Sequence, residues 1–314
     1  MKLIAEIGAA HNGKLKNVFR LMEETVQADA FKLQTWTSDS MSVPHILTSG
    51  PWAGKDLTAL YHKARLPWDW HQDIFDLGRD LGKEVFSSPF DRHSVDFLEK
   101  LGCPRYKIAS FEVVDLGLVE YIAQTGKPMI LSTGQVTANE LEKVLEVILK
   151  HNKDITLLYC ISQYPTSFEE VSIRRMKTLH CFGIPVGISD HTPGDVVPIM
   201  ATALGATMIE KHVGLTDRGL DGGFSMRTYQ FNSMAIKVRQ AEAALVSSGA
   251  EMNTNLRRSL YFARDMAKGE TIRDWCLKTA RPNKGLCPLE IKKILGKELT
   301  EGALKNQPVS LQLV

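Results

Sequence analysis

Short apolar runs rich in β-formers recur along the chain, each bounded by Gly, Pro or polar residues. Eight of them read as strands: Leu3–Ile7, Ala30–Thr35, Glu84–Ser88, Tyr106–Ser110, Pro128–Ser132, Thr156–Ile161, Pro185–Ser189 and Thr207–Lys211. Helical periodicity fills the gaps, as in "NVFRLMEETVQADA", "WDWHQDIFDLGRDLG", "SVDFLEKLG", "GLVEYIAQTG", "ANELEKVLEVILKHN" and "DVVPIMATALGA". Several of these segments end in Gly or Asn before the next strand, as helix-to-strand connections tend to. Eight strands with intervening helices predict an α/β fold, a (β/α)8 TIM barrel. An open doubly wound sheet is the alternative. It usually has fewer strands and wants a glycine-rich first turn, and "GAAHNG" after the first strand lacks GxGxxG.

The gap from Thr37 to Leu66 carries Pro44, Gly50, Pro51 and Gly54 and reads as an elaborated loop, which in a barrel lies over the active face. Beyond the strands, "FNSMAIKVRQAEAALVSSG" reads as a long helix and "AEMNTNL" as a polar linker. The barrel domain is therefore placed at residues 1–250, with 231–256 as the helix and linker at its end. From Arg257 to Val314 the texture changes to short strands and turns, as in "RRSLYFARDMAKGETI", "LKTARPNKGLCP" and "KNQPVSLQLV". About 58 residues is marginal for a free domain, so this one is expected to dock on a barrel, its own or a partner's.

Composition narrows the function classes. The chain has 314 residues, 44% of them hydrophobic, and a formal net charge of +2. That balance gives no general attraction to nucleic acid or membranes, so any anion site must be local. "MKLIAEIGAAHNG" meets an acid at Glu6 and holds no long apolar run, which speaks against a signal peptide or a membrane span. Cys103, Cys160, Cys181, Cys276 and Cys287 are scattered, with no CxxC. This fits reduced thiols in a cytoplasm and argues against a cysteine-built zinc site.

In a barrel the C-terminal ends of the strands converge on one mouth. In chain order those ends carry Glu6; Lys32 and Gln34; Ser87 and Ser88; Lys107, Ser110 and then Glu112; Ser132 and Thr133; Ser162 and then Tyr164; Ser189, Asp190 and His191; Glu210, Lys211 and His212. Buried Lys and Glu need partners, and so polar a set exceeds what packing alone would place there. Two lysines and several hydroxyls suit a small, highly charged anion such as a phosphate ester, and a carboxylate could share the site. Glu6 and Glu112 are candidates for proton handling or for positioning a hydroxylated ligand. His191 and His212 follow the last two runs, in "GISDHT" and "EKH". Neighbouring strands lie about 4.8 Å apart, so both imidazoles could reach one cation at about 2.1 Å per bond. Two His ligands would leave positions open on a Lewis-acidic metal.

Taken together, "AEIGAAHNG", "KLQ", "FSSPFD", "YKIASFE", "GKPMILSTG", "YPT", "GISDHT" and "EKH" resemble the sialic acid (nonulosonic acid) synthase family in order and spacing. The tail with "TARPNKG" resembles that family's small antifreeze-like (SAF) domain. Within the family, "YKIASFEVVDLGLVEYIAQTGKPMILSTG" and "CISQYPTS" look closer to pseudaminic acid synthases than to N-acetylneuraminate synthases; legionaminic acid synthases are a further alternative. The resemblance implies condensation of phosphoenolpyruvate with an open-chain N-acylated amino sugar, giving a nine-carbon 2-keto acid and phosphate. By position it implies phosphoenolpyruvate at Lys32, Ser88, Lys107, Ser110, Ser132 and Ser189, and the sugar at Gln34, Ser162, Tyr164, Asp221 and Arg281. It also implies a divalent metal at His191 and His212, manganese first, with magnesium or cobalt as alternatives. Glu6 and Glu112 match the family's two acids. The arginine matching Arg281 reaches the barrel of the other subunit in the family, which implies a domain-swapped homodimer.

Two positions depart from the family pattern, both on the sugar side. Ser162 stands where sialic acid synthases often have Asn, and "TDRGLDGGFSM" lacks the usual Gly-Pro-Asp, leaving Asp221 as the match. Two other readings compete. A Schiff-base aldolase wants one desolvated, isolated lysine, whereas here two lysines accompany hydroxyls. A non-catalytic sugar- or ice-binding protein would want a flat Thr-rich array, and the tail is too charged for one.

Overall fold

The computed structural model describes residues 1–48, 52–247, 249 and 252–314. Gly50 and Pro51 of the predicted loop, and Ser248, Ala250 and Glu251 of the predicted helix end and linker, lie outside the described residues. The chain divides into two compact units, Met1–Ser247 and Ser248–Val314.

The first unit is a closed barrel of eight parallel strands: β1 (Lys2–Glu6), β2 (Ala30–Thr35), β3 (Glu84–Pro89), β4 (Tyr106–Ile108), β5 (Met129–Ser132), β6 (Ile155–Cys160), β7 (Val186–Asp190) and β8 (Met208–Gly214). Pairing of β1 with β8 closes it, in a register that sets Glu6 beside His212. The strands are apolar because both faces are covered. All six residues of β6 and all four of β5 are buried.

The helices are α1 (Leu15–Glu24), α2 (Ser38–Met41), α3 (Leu57–Ala64), α4 (His71–Asp80), α5 (Arg92–Lys100), α6 (Leu116–Ala123), α7 (Ala138–Ile148), α8 (Val196–Ala203) and α9 (Thr228–Val246). In α7 a capping box joins Thr137 and Glu140, and Leu141, Val144, Leu145 and Ile148 form one buried stripe.

The predicted strands all form, with differences that matter at their ends. β4 stops at Ile108, so Ser110 lies in the turn that follows. β8 runs on to Gly214, so His212 lies within the strand rather than beyond it, and a short β9 (Met226–Arg227) pairs with that extension. The predicted loop at 37–66 contains two helices, α2 and α3. Asp56 caps α3 through the backbone of Ala59, but α3 buries none of its side chains, which is why no hydrophobic stripe announced it. A 3-10 helix, Ile173–Phe182, bridges β6 and β7 where an α-helix would be usual.

The second unit pairs β10 (Ser259–Phe262) antiparallel with β11 (Leu277–Ala280). It has its own core, which includes Leu260, Phe262, Ile272, Ile294, Leu299 and Val309. Among the described residues no helix is long and apolar enough to cross a membrane.

Candidate active site

Strand alternation sorts the polar residues at the barrel mouth into two sets. Register places Glu6 beside Lys32 and His212, Gln34 beside Ser88, Cys160 beside Ser189, and Ser189 beside Glu210. These side chains share the barrel interior. Their neighbours one residue away face the helices. Thr35 hydrogen-bonds Ser87 at 2.7 Å and His71 at 2.8 Å on that outer side, and Lys211 pairs with Asp190 at 2.5 Å. Ser87, Asp190 and Lys211, which the sequence placed at the strand ends, therefore belong to packing around the barrel and not to its lumen.

Two buried lysines form the floor. Lys32 Nζ lies 2.7 Å from Glu6 Oε2, 3.8 Å from Glu210 Oε1 and 3.4 Å from Ser88 Oγ. Lys107 Nζ lies 3.5 Å from the same Glu210 oxygen, which also accepts a hydrogen bond from Ser189 Oγ at 3.0 Å. Burial opposes the charge on both lysines. At Lys32, attraction from Glu210 and Glu6 outweighs it and holds the pKa above the ordinary lysine value. At Lys107 burial wins, and the pKa falls below that value. Glu210, itself disfavoured by burial, is drawn below the usual carboxylate range by Lys107, Lys32 and His212. Ser132 Oγ, Glu6 Oε1 and Glu210 Oε2 are buried in the same lumen without a hydrogen-bond partner. Ser110 Oγ accepts from the amide of Gly134, where a Cβ would stand 2.5 Å from Ser162 Oγ and 3.0 Å from Ser110 Oγ. A buried serine hydroxyl without a partner, beside two buried lysines, is what an anion site presents.

The imidazoles sit above this floor. The β7–β8 ladder ends with Asp190 beside Lys211; His191 and His212 are the next residues along the chain, and their ring centroids are 5.4 Å apart. His191 Nδ1 lies 2.9 Å from the carbonyl of Ile161, so that nitrogen donates and Nε2 is the one left to face a ligand. His212 Nδ1 is buried without a hydrogen-bond partner, and Asp221 Oδ2 lies 3.5 Å away. Asp221 is fixed there by the amide of Ala9 at 2.7 Å. Gly8 permits that approach: its φ is +48°, and a Cβ would stand 2.3 Å from Asp221 Oδ2. Tyr164 packs its ring 4.2 Å from that of His191.

Among the described residues no three His, Cys, Asp or Glu side chains converge as a metal site. The donors on offer are the two imidazoles, that of His212 with an unpartnered nitrogen. That set fits a divalent ion whose remaining positions are filled by water or substrate oxygen.

A cavity of about 580 Å³ opens at the mouth. Six of the residues picked out in the sequence line it: Gln34, Glu112, Ser162, Tyr164, His212 and Asp221. Lys32 lies two residues deeper than Gln34 on β2, so the lysine floor is beneath. Burial pushes Glu112 up to about 7, and its Oε2 has no hydrogen-bond partner. Arg281 is exposed in the second unit, just after β11.

Some features of the site had no role assigned from sequence. Glu210, named there only as a strand-end acid, joins both lysines, and its position two residues before His212 in "EKH" places it on the same strand face. Cys160 lies within hydrogen-bond reach of His191 and Ser110, and 3.9 Å from Ser162 Oγ. The cavity's apolar wall, with Trp36, Trp52, Tyr61, Phe90 and Phe111, is drawn from segments far apart in the sequence.

Known proteins are similar to this chain in sequence and in fold. Pseudaminic acid synthase of Helicobacter pylori is 40% identical, over 98% of this chain and 96% of its own. N,N'-diacetyllegionaminic acid synthase of Campylobacter jejuni is 32% identical over 97% of each. Among solved structures, N-acetylneuraminic acid synthetase from Leptospira borgpetersenii, in complex with citrate, superposes with a TM-score of 0.72 at 26% identity, covering 80% of this chain and 87% of that one. Spore coat polysaccharide biosynthesis protein E from Chromobacterium violaceum gives 0.73 at 27% identity, covering 99% and 98%. Residues 257–311 match the SAF domain. With residues 22–250 matching its defining domain, the chain belongs to the NeuB family.

Proposed function

We propose that this protein is a pseudaminic acid synthase, condensing phosphoenolpyruvate with an open-chain N-acylated amino sugar to give a nine-carbon 2-keto acid and phosphate. The observation that carries the reading is the buried pair Lys32 and Lys107, with the orphaned Ser132 hydroxyl, beneath two imidazoles in one lumen. The 40% identity to a pseudaminic acid synthase, against 32% to a legionaminic acid synthase and 27% to the human N-acetylneuraminate-9-phosphate synthase, favours the first over its alternatives.

In this reading Lys32 and Lys107 neutralise phosphate and carboxylate oxygens, and Ser88, Ser110, Ser132 and Ser189 donate hydrogen bonds to them. Gln34, Ser162, Tyr164 and Asp221 orient the sugar so that its aldehyde carbon meets the enol carbon. Glu112, held partly protonated near neutrality, gives its proton to the oxygen of the former aldehyde. Glu6, paired with Lys32, stabilises the positive character left on the former enol carbon that bears the phosphate oxygen, and takes a proton from the water that attacks there. The C–O bond to phosphate then breaks as the new hydroxyl gives its proton to the departing phosphate, leaving the 2-keto group. His191 and His212 would hold a divalent cation, manganese before magnesium or cobalt, whose chemistry is Lewis-acid polarisation of the aldehyde. Arg281 of a partner subunit would close the mouth over the sugar, which makes the enzyme a swapped homodimer. Five unpaired cysteines suit a cytoplasmic setting.

The test is phosphate release from phosphoenolpyruvate with a panel of N-acylated amino sugars, with Mn2+ or with excess chelator. Release with one sugar class in the presence of metal supports the reading. Turnover without phosphoenolpyruvate, or borohydride trapping of a lysine adduct, refutes it.

A further inference from the structure

One buried polar cluster has no part in the chemistry proposed above. Lys211 and Asp190 face each other across β7 and β8, on the side away from the lumen, and both side chains are about 2% exposed. Lys211 Nζ donates to Asp190 Oδ2 at 2.5 Å and to the carbonyl of Thr192 at 2.5 Å. Asp190 in turn accepts from the amide of Thr192 at 3.0 Å and from its hydroxyl at 3.1 Å. These four bonds bracket one residue, His191, whose carbonyl also takes the amide of Thr166 at 3.0 Å. Lys211 is itself the residue before His212. A single ammonium group thus ties the carboxylate of Asp190 and the carbonyl of Thr192, on either side of one imidazole, to the strand that carries the other.

Neither charge touches the lumen, and a buried ion pair is by itself weak evidence for stability. What the pair does fix is geometry. The turn after Asp190 leaves the sheet ladder, and without an anchor its backbone could rotate the His191 ring away from its neighbour.

We propose that Lys211 is a positioning residue: through Asp190 and Thr192 it sets the separation and orientation of His191 and His212, and so the affinity of the site for a divalent cation. This rests on the two-histidine metal reading. Groups behind metal ligands commonly change affinity by about 10- to 100-fold when removed, and an effect in that range is expected here.

The experiment is titration of the full-length protein with Co2+ alone, read by its visible absorption and by calorimetry. Lys211→Met keeps the stem volume and removes the donor. Because it leaves Asp190 buried and uncompensated, Asp190→Asn/Lys211→Met is measured beside it as a charge-neutral pair that keeps the fold. Both are expected to bind Co2+ at least about 10-fold more weakly, with an altered absorption band. Lys211→Arg, whose planar fork can serve Asp190 and the Thr192 carbonyl together, is expected to recover most of the affinity. His212→Ala is the control. If His212→Ala loses binding while the folded double variant binds as the wild type does, the positioning role is overturned and the metal reading stands. If the wild type shows no saturable binding, both fall, and the fault lies in the metal reading.

Discussion

Lys107 offers the sharpest test of how the lumen is divided between the two substrates. It is 2% exposed and lies 3.5 Å from Glu210, so Lys107→Met removes a buried charge while filling most of its volume. Glu210 then keeps Lys32 at 3.8 Å and Ser189 at 3.0 Å, so no carboxylate is stranded and the fold should survive. What is lost is one charge-assisted contact to the anion. Such contacts are worth roughly 1.5–3 kcal/mol, or about 10- to 150-fold at 1.4 kcal/mol per decade. The expected outcome is a rise of that size in the KM for phosphoenolpyruvate, with the sugar KM changed much less. Initial rates of phosphate release, with each substrate varied at saturating levels of the other, supply both constants. An unchanged phosphoenolpyruvate KM with an altered sugar KM would refute the assignment of the floor to the anion.

Other expectations follow from the same geometry. His191→Ala or His212→Ala should lower phosphate release by orders of magnitude while circular dichroism and Tm show a folded protein; full wild-type activity in excess chelator would contradict this. Glu112 should impose a limb near pH 7 in which kcat/KM for the sugar falls as the acid ionises, and Glu112→Gln should remove that limb at reduced kcat/KM; an identical pH profile in the variant would exclude Glu112 as the proton donor. Because burial raises the native pKa of Glu112 above its unfolded value, the native state binds the proton more tightly. Its contribution to stability is full below about pH 4.5 and is lost as pH rises through about 7, so the gap in Tm between wild type and Glu112→Gln should shift over that window. Mixing Arg281→Ala chains with His191→Ala chains should restore part of the activity, since one mouth per heterodimer is intact; failure after verified chain exchange, or an active monomer, would rule out the swap.

The barrel was legible because eight apolar runs alternate with helical periodicity, and strand ends in such a fold point to one mouth. Composition at those ends could not separate Lys32 from Lys211, since both are buried lysines near a carboxylate. Only strand parity does so, and parity depends on boundaries that sequence places a residue or two off. His212 shows this: read as lying beyond its strand, it stands inside β8, and that register brings it beside Glu6. Glu210 was visible as a strand-end acid, but its role needs the cross-barrel approach of Lys107, which no local pattern encodes. The apolar wall was hidden for a similar reason. Trp36, Tyr61 and Phe90 meet through the fold, and α3, which brings Tyr61, buries none of its own side chains.

The seam that closes the barrel has a consequence for how activity is acquired. Glu6 and His212 are register partners although they come from the first and last strands. Such a pairing has high contact order and is slow to form, and during synthesis β1 stays exposed until β8 has left the ribosome. Two of the residues assigned to the proposed reaction therefore lie across the joint that shuts last. A barrel with seven strands docked could look compact by most probes and still hold no site. Regain of phosphate release during refolding should then lag the recovery of helical ellipticity, making catalysis a reporter of ring closure rather than of collapse.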